Sequence, residues 1–336
     1  MQPFYWESAH GNFGDDLNLW LWDFLLPGFR DVHPDVLLVG VGTVLNQELL
    51  PADVKKLVIG SGFGYGSLPD LSDKREWDTR AVRGPLTAQK LGLAPELGII
   101  DPAVMVAEMP EFRNLPKTGG AIFVPHWEST VGGIWPLVCQ AAGLGYVDPC
   151  GEAKSVIRAI AQADLVVAES MHAAILADAF RVPWVAVTTS RSINSFKWRD
   201  WATSLGVDYR PRQIPISSRA EAVTKGARFW GFGFEAPAGT ANDTGRPDDT
   251  EVLARKNKEP EHFDGSEKSG NALVVTRNEP PPSMLRSVAK QVLAAPSTLA
   301  LWQARKARPQ LSGDAMLSER KDRFREVLAD VRRDYL

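Results

Sequence analysis

Hydrophobic positions along the first two thirds of the chain follow two alternating patterns. Short apolar, β-branched runs give way to stretches whose apolar residues recur every three or four positions. The runs predict strands at 3–6, 36–39, 57–59, 80–83 and 99–100, then at 121–125, 144–147, 165–168 and 184–187. The intervening stretches predict helices at 17–26, 85–91, 155–163, 172–180 and 194–205. Such alternation marks an α/β chain whose parallel sheets are covered by helices. The segment 109–120, with Pro110, Pro116 and Gly119-Gly120, interrupts the pattern and predicts a hinge between two α/β halves.

Beyond residue 235 the pattern changes. From 236 to 271 only Val252, Leu253 and Phe263 are large and apolar, too few to offset the entropy of ordering such a stretch. Helical spacing resumes after Pro280-Pro281-Pro282, with Leu285, Val288, Val292 and Leu293 on one face. Phe324, Val327, Leu328 and Val331 form a second stripe. The predicted organisation is an N-terminal domain over 1–115, a second over 116–235, a flexible linker over 236–280 and a helical tail over 281–336 that reads as an appendage.

Composition narrows the function classes. Lys+Arg number 38 against Asp+Glu 41, a net charge of -3, which argues against a protein that grips a nucleic-acid backbone. Two cysteines, Cys139 and Cys150, cannot form a disulfide framework and fit a reducing cytoplasm. No apolar run reaches the roughly 20 residues of a membrane span, and residues 1–7 lack the basic region and cleavage site of a signal peptide. A cytoplasmic protein is expected, with peripheral membrane association left open. The 11 tryptophans against 5 tyrosines suit either a Trp-packed core or platforms for stacking sugars.

In open α/β sheets ligands bind where strands end and helices begin, and four such places carry candidate chemistry. Gly11-Asn12-Phe13-Gly14-Asp15-Asp16 follows the first strand, and its carboxylates either cap a helix or orient a hydroxyl. The turns Gly40-Val41-Gly42-Thr43 and Gly60-Ser61-Gly62-Phe63-Gly64-Tyr65-Gly66 lack the spacing of nucleotide-binding motifs, so each is a tight turn or a substrate loop. Arg83 precedes Gly84-Pro85 at a helix start, where a guanidinium holds a carboxylate or phosphate, or pairs with a neighbouring acid. Glu169-Ser170-Met171-His172 opens an alanine-rich helix, whose first turn favours an anion and sets His172 for proton transfer. The alternative there is a capping polar pair beside a packed histidine.

In this order the segments resemble the polysaccharide pyruvyl transferases, in particular the succinoglycan-type, ketal-forming branch. The resemblance rests on Gly11-Asn12-Phe13-Gly14-Asp15, Gly40-Val41-Gly42-Thr43, Arg83 with Thr87 and Leu91-Gly92, Asp101-Pro102-Ala103, Ser170-Met171-His172, and 196–206 as a closing motif. It covers about residues 1–235. It implies two Rossmann-like domains facing a cleft, as in the glycosyltransferase-B architecture. It also implies transfer of pyruvate from phosphoenolpyruvate onto two hydroxyls of a sugar or lipid-linked oligosaccharide, with no cofactor. Arg83 matches the first-domain arginine that holds the donor, and His172 the histidine of an Arg-Leu-His triplet. Ser170 and Met171 stand in place of the triplet's Arg and Leu, leaving Arg191 or Lys197 to supply the lost charge.

The implied chemistry needs an acid at the donor's methylene carbon and a base at the sugar hydroxyl. His172 is the candidate acid, Asp15 the first candidate base and Glu169 the second. Gly11, Asn12, Gly42, Thr43, Gly62, Ser170, His126 and Trp127 complete the candidate site, Trp127 as a sugar-stacking surface. No His, Asp, Glu or Cys grouping has metal-ligand spacing, so no metal is expected. A nucleotide-sugar glycosyltransferase of the same fold and a non-catalytic scaffold of polysaccharide assembly are the competing functions.

Overall fold

The computed structural model describes residues 1–227 and 284–336, with side chains in the last segment from residue 292 onward. The expected linker at 236–280 lies outside the described residues. The first half contains β1 (Gln2–Phe4), α1 (Leu21–Leu25), β2 (Val36–Val39), β3 (Lys55–Ile59), β4 (Trp77–Ala81) and α2 (Pro85–Lys90). Its four strands pair in parallel in the order β1-β2-β3-β4. The second half contains β5 (Ala121–Val124), α3 (Trp135–Ala142), β6 (Gly145–Tyr146), α4 (Ala153–Gln162), β7 (Leu165–Ala168), α5 (Met171–Ala179), β8 (Trp184–Thr188), α6 (Ser195–Ser204), β9 (Arg212–Gln213) and α7 (Arg219–Thr224). Its sheet is also parallel, in the order β6-β5-β7-β8-β9, which places a topological switch point between β5 and β7.

Period-two burial explains why these segments are strands. Phe123, Val167, Val185 and Val187 face one apolar cluster with Trp135 and Val138 of α3. Val124, Val166, Ala168, Trp184 and Ala186 face the other way, onto α4 and α5. Both faces are therefore covered, as a parallel sheet requires. α5 is buried along its whole length. Its alanines let it pack closely between the second sheet and a 3-10 turn at Pro102–Glu108, and the same cluster runs on into Leu38, Leu57 and Ile59 of the first sheet.

Several predicted elements differ. The helix at 17–26 is split into a 3-10 turn at Asp15–Leu19 and α1, because Trp20 between them has φ -145°. The strand predicted at 80–83 lies earlier, at Trp77–Ala81, so Arg83 falls beyond its end with its N–H bonded to Ser61 O. Residues 99–100 form no strand: one bridge, Val82 with Gly98, is all that forms before Pro102 removes a donor. α3 lies outside the expected helices. Pro136 occupies its first helical turn and Gly143 (φ 72°) caps its end.

The tail is helical, as α8 (Met284–Arg305) and α9 (Asp314–Tyr335), yet it is no free-standing appendage. Ala294, Leu301 and Ala304 of α8 join the α3 cluster. Leu317, Phe324, Leu328 and Val331 of α9 enter the main core. Polar contacts reach both halves. Ser312 N–H donates to Asp178 at 2.9 Å and Arg320 to Ser204 O at 3.0 Å. Arg80 donates to Asp334 at 2.8 Å, Tyr335 Oη to Asp78 at 2.7 Å, and Arg332 to Leu25 O at 2.6 Å. Among the described residues no helix is long and apolar enough to cross a membrane.

Candidate active site

Carboxyl ends of strands from both sheets converge on one pocket, which is partly open to solvent. The loops after β1, β2 and β3 supply Trp6, Asn12, Asp15, Thr43 and Tyr65. Facing them are His126 and Trp127 after β5, Ser170 and His172 after β7, and Lys197 on α6. The structure thus assembles eight expected residues: Asn12, Asp15, Thr43, His126, Trp127, Ser170, His172 and Lys197. Trp6, Tyr65, Leu49 and Pro149 were missed. For Tyr65 the signal was present, in the glycine run that surrounds it.

His172 is held in the first turn of α5, 8% exposed, with its Nε2 buried and without a hydrogen-bond partner. Gly14 is what admits it: a Cβ there would lie 1.9 Å from His172 Nδ1. Burial, with Lys197 and Arg83 nearby, pushes the imidazole down to about 3, so the unliganded ring is neutral at pH 7. Burial and Arg83 likewise lower the Lys197 ammonium to about 8, partly opposed by Asp15 and Glu128. Lys197 Nζ also sits 5.6 Å from the Tyr65 ring centre. Asp15 accepts from Asn12 Nδ2 at 2.5 Å. Ser170 spends its backbone N–H on Val124 O and makes no side-chain cap, leaving its hydroxyl at the pocket wall. His126, lowered by burial against the opposing pull of Glu128, lies 3.5 Å from that carboxylate. The Trp127 ring stacks near His10 at 6.4 Å.

Six expected residues lie off the pocket wall. Arg83 is fully buried, with Nε on Asp200 (3.0 Å), Nη1 on Thr43 Oγ1 (2.7 Å) and Nη2 on Phe63 O (2.8 Å). Its guanidinium is committed to protein, and the neighbouring-acid reading describes its contacts. Gly62 leaves room for that guanidinium, since a Cβ would lie 2.1 Å from Arg83 Cζ. Gly42, at φ 112°, and Gly11, at φ 79°, lie close to other groups: a Cβ on Gly42 would lie 3.1 Å from Asp15 Oδ1, and one on Gly11 2.9 Å from Cys150 O. Arg191 is exposed in the loop before α6, away from the pocket, so of the two cations expected to replace the missing arginine only Lys197 reaches it. Glu169 is fully buried and bonded on both oxygens, which removes it from contact with a substrate hydroxyl.

Comparison with known proteins gives a consistent answer. Residues 16–191 match the family model described as polysaccharide pyruvyl transferase. The chain is 63% identical over 335 residues to the succinoglycan biosynthesis protein ExoV of Rhizobium meliloti (strain 1021), covering 100% of both chains. That similarity extends over the tail, beyond the span the sequence motifs covered. No solved structure matches at the same stringency.

Proposed function

Because the chain belongs to the polysaccharide pyruvyl transferase family, we propose that it moves pyruvate from phosphoenolpyruvate onto two hydroxyls of one sugar. A cyclic ketal forms and phosphate leaves. The relative's part in succinoglycan biosynthesis supports an acceptor of that class, a bacterial polysaccharide or its lipid-linked precursor. One observation carries the reading. A buried imidazole with an unpartnered Nε2 and an ammonium of lowered pKa face a carboxylate across a single pocket.

Each group then has a task. Lys197, Ser170 and the first turn of α5 take the donor's anionic groups, and Arg83 adds positive potential from behind the wall. Bound negative charge raises the pKa of His172, which becomes able to deliver a proton to the methylene carbon. The cation left on the adjacent carbon is attacked by one sugar oxygen, whose proton passes to Asp15. The second hydroxyl displaces phosphate, which carries off the second proton. One hydroxyl proton thus replaces the one spent at the methylene, now the ketal's methyl group. Trp127 and Trp6 offer faces for the sugar ring.

The test is phosphate release from phosphoenolpyruvate in the presence of a glycan, with the glycan's mass rising by pyruvate less one water. Release that needs both substrates is expected. Transfer of a hexosyl group from a nucleotide sugar, with phosphoenolpyruvate inert, would replace this reading with a glycosyltransferase.

A further inference from the structure

Glu169 follows the last residue of β7, the central strand at the switch point, and its carboxylate reaches sideways to both neighbouring strand ends. Oε2 accepts from His126 N–H at 2.9 Å and from Ser129 Oγ at 2.5 Å, both beyond β5. Oε1 accepts from Thr189 N–H at 3.1 Å and from Thr189 Oγ1, both beyond β8. Lys225, buried just past α7, closes the set with Nζ 3.0 Å from Oε1, and donates to Ser129 and Thr189 as well. Five donors from three chain segments thus converge on two oxygens. Each turn they fix leads to the pocket: His126 to Trp127, Thr189 toward Lys197, and Glu169 itself to Ser170 and His172.

We propose that Glu169 is a positioning residue that sets the three strand-ending turns around the pocket relative to one another, with Lys225 as its buried counter-ion. A buried ion pair is a poor device for stability alone, since desolvation offsets most of its Coulomb attraction and apolar packing serves as well. What it offers here is direction: an acceptor with two oxygens fixes backbone N–H groups on either side, which an apolar residue cannot do. Burial alone would push the Glu169 carboxyl up, but Lys225 and the hydroxyls of Ser129 and Thr189 hold it below the usual range, so it stays an acceptor throughout. Glu221, whose Oε2 takes Trp135 Nε1 and Ser217 while Oε1 lies 3.4 Å from Lys225, anchors the lysine from the far side. Glutamine in place of Glu169 would turn an amide NH₂ toward one pair of these donors.

The inference uses the proposed reaction only for its activity readout. Three variants decide it: Glu169→Gln, Lys225→Met and both together. Glu169→Gln leaves Lys225 with Glu221 alone, and Lys225→Met strips both carboxylates of their cation, so each single is expected to lower the unfolding midpoint. In the pair only Glu221 remains of the three charges, and burial already favours its protonated form, so part of the loss is expected to be recovered. Turnover of the pair is nonetheless expected to stay about 10- to 100-fold below wild type, the scale of a misplacement near 1 Å. Amide hydrogen exchange at 126–130 and 189–194, measured without substrate, is expected to be faster than in wild type. Should turnover and exchange both return to wild type along with stability, the pair is structural only and the proposal falls. If the charge variants do not fold, Ser129→Ala and Thr189→Val remove hydroxyl donors alone. Unchanged exchange and turnover in both would overturn the proposal equally. Exchange is read independently of any ketal, so a wild-type protein inactive with phosphoenolpyruvate refutes the reaction while leaving this test standing.

Discussion

Gly14 and His172 show how a single missing methyl group sets up chemistry. Gly14 has φ -73°, a conformation alanine adopts freely, and a Gly→Ala change at such a position ordinarily stabilises by about 0.4–1 kcal/mol. Here the new Cβ would collide with Nδ1 of a ring fixed on a buried helix. We therefore expect Gly14→Ala to lower stability by about 1–3 kcal/mol and to depress turnover further, checked by denaturant titration and initial rates. The charged groups give a pH signature of definite sign. Lys197 loses its proton near pH 8, so donor affinity should fall as pH rises through that value and Lys197→Met should flatten the profile. Donor binding at pH 7 should take up protons, seen by calorimetry in buffers of different ionisation heat. His172 has the opposite effect on folding. Its pKa is depressed from 6.5 to about 3, so the unfolded chain binds the extra proton first. The stability linked to it is whole above pH 6.5 and is lost as pH falls through that window. His172→Gln should reduce this acid sensitivity in urea titrations. His172 and Lys197 were legible in the sequence as candidates, but the Gly14–His172 contact was not, because the two meet across a long span of chain and neither motif names the other.

Among the elements, α2 and α6 illustrate a contact that sequence motifs suggested for another purpose. Asp200 of α6 accepts from Thr87 N–H at 2.8 Å and from Thr87 Oγ1 at 2.6 Å, while pairing with Arg83. Gly84 makes the approach feasible, because a Cβ there would lie 2.2 Å from Asp200 O. Arg83, Thr87 and the 196–206 segment, singled out in the sequence for a resemblance in function, form a buried clamp between the halves. Asp200→Ala should leave the Arg83 guanidinium buried without its counter-ion and cost about 3–5 kcal/mol in chemical denaturation. The doubly apolar strands were easy to read, since runs such as 165–168 are apolar on both faces. The 3-10 turns, α3 and α7 were not. Their boundaries depend on capping geometry, and Lys225 in particular belongs to no motif.

For the molecule as a whole, the tail alters the plan drawn from sequence. Its mixed charges and narrow apolar stripe announce an amphipathic helix, but a stripe does not say what it packs on. In the structure Phe324, Leu328 and Val331 join the main core, on a helix that packs against β4 and the 3-10 turn at Pro102–Glu108. Phe324→Ala should cost about 3–5 kcal/mol, and a chain shortened to residue 312 should be recovered mainly as aggregate, as judged by size-exclusion chromatography. The parallel sheets and the strand-end position of the site were legible, because period-two burial and glycine turns are local. The closure of the core by residues 314–335 was not. That closure has a consequence for how the protein is made. Arg80 and Asp78 wait for Asp334 and Tyr335, partners about 250 residues later in the chain. On the ribosome the β4 edge of the first sheet therefore lacks these partners until residues 334 and 335 have been added. During that interval the β4 edge depends on chaperones or on speed, and the helix at 314–335 is the one that ends the wait.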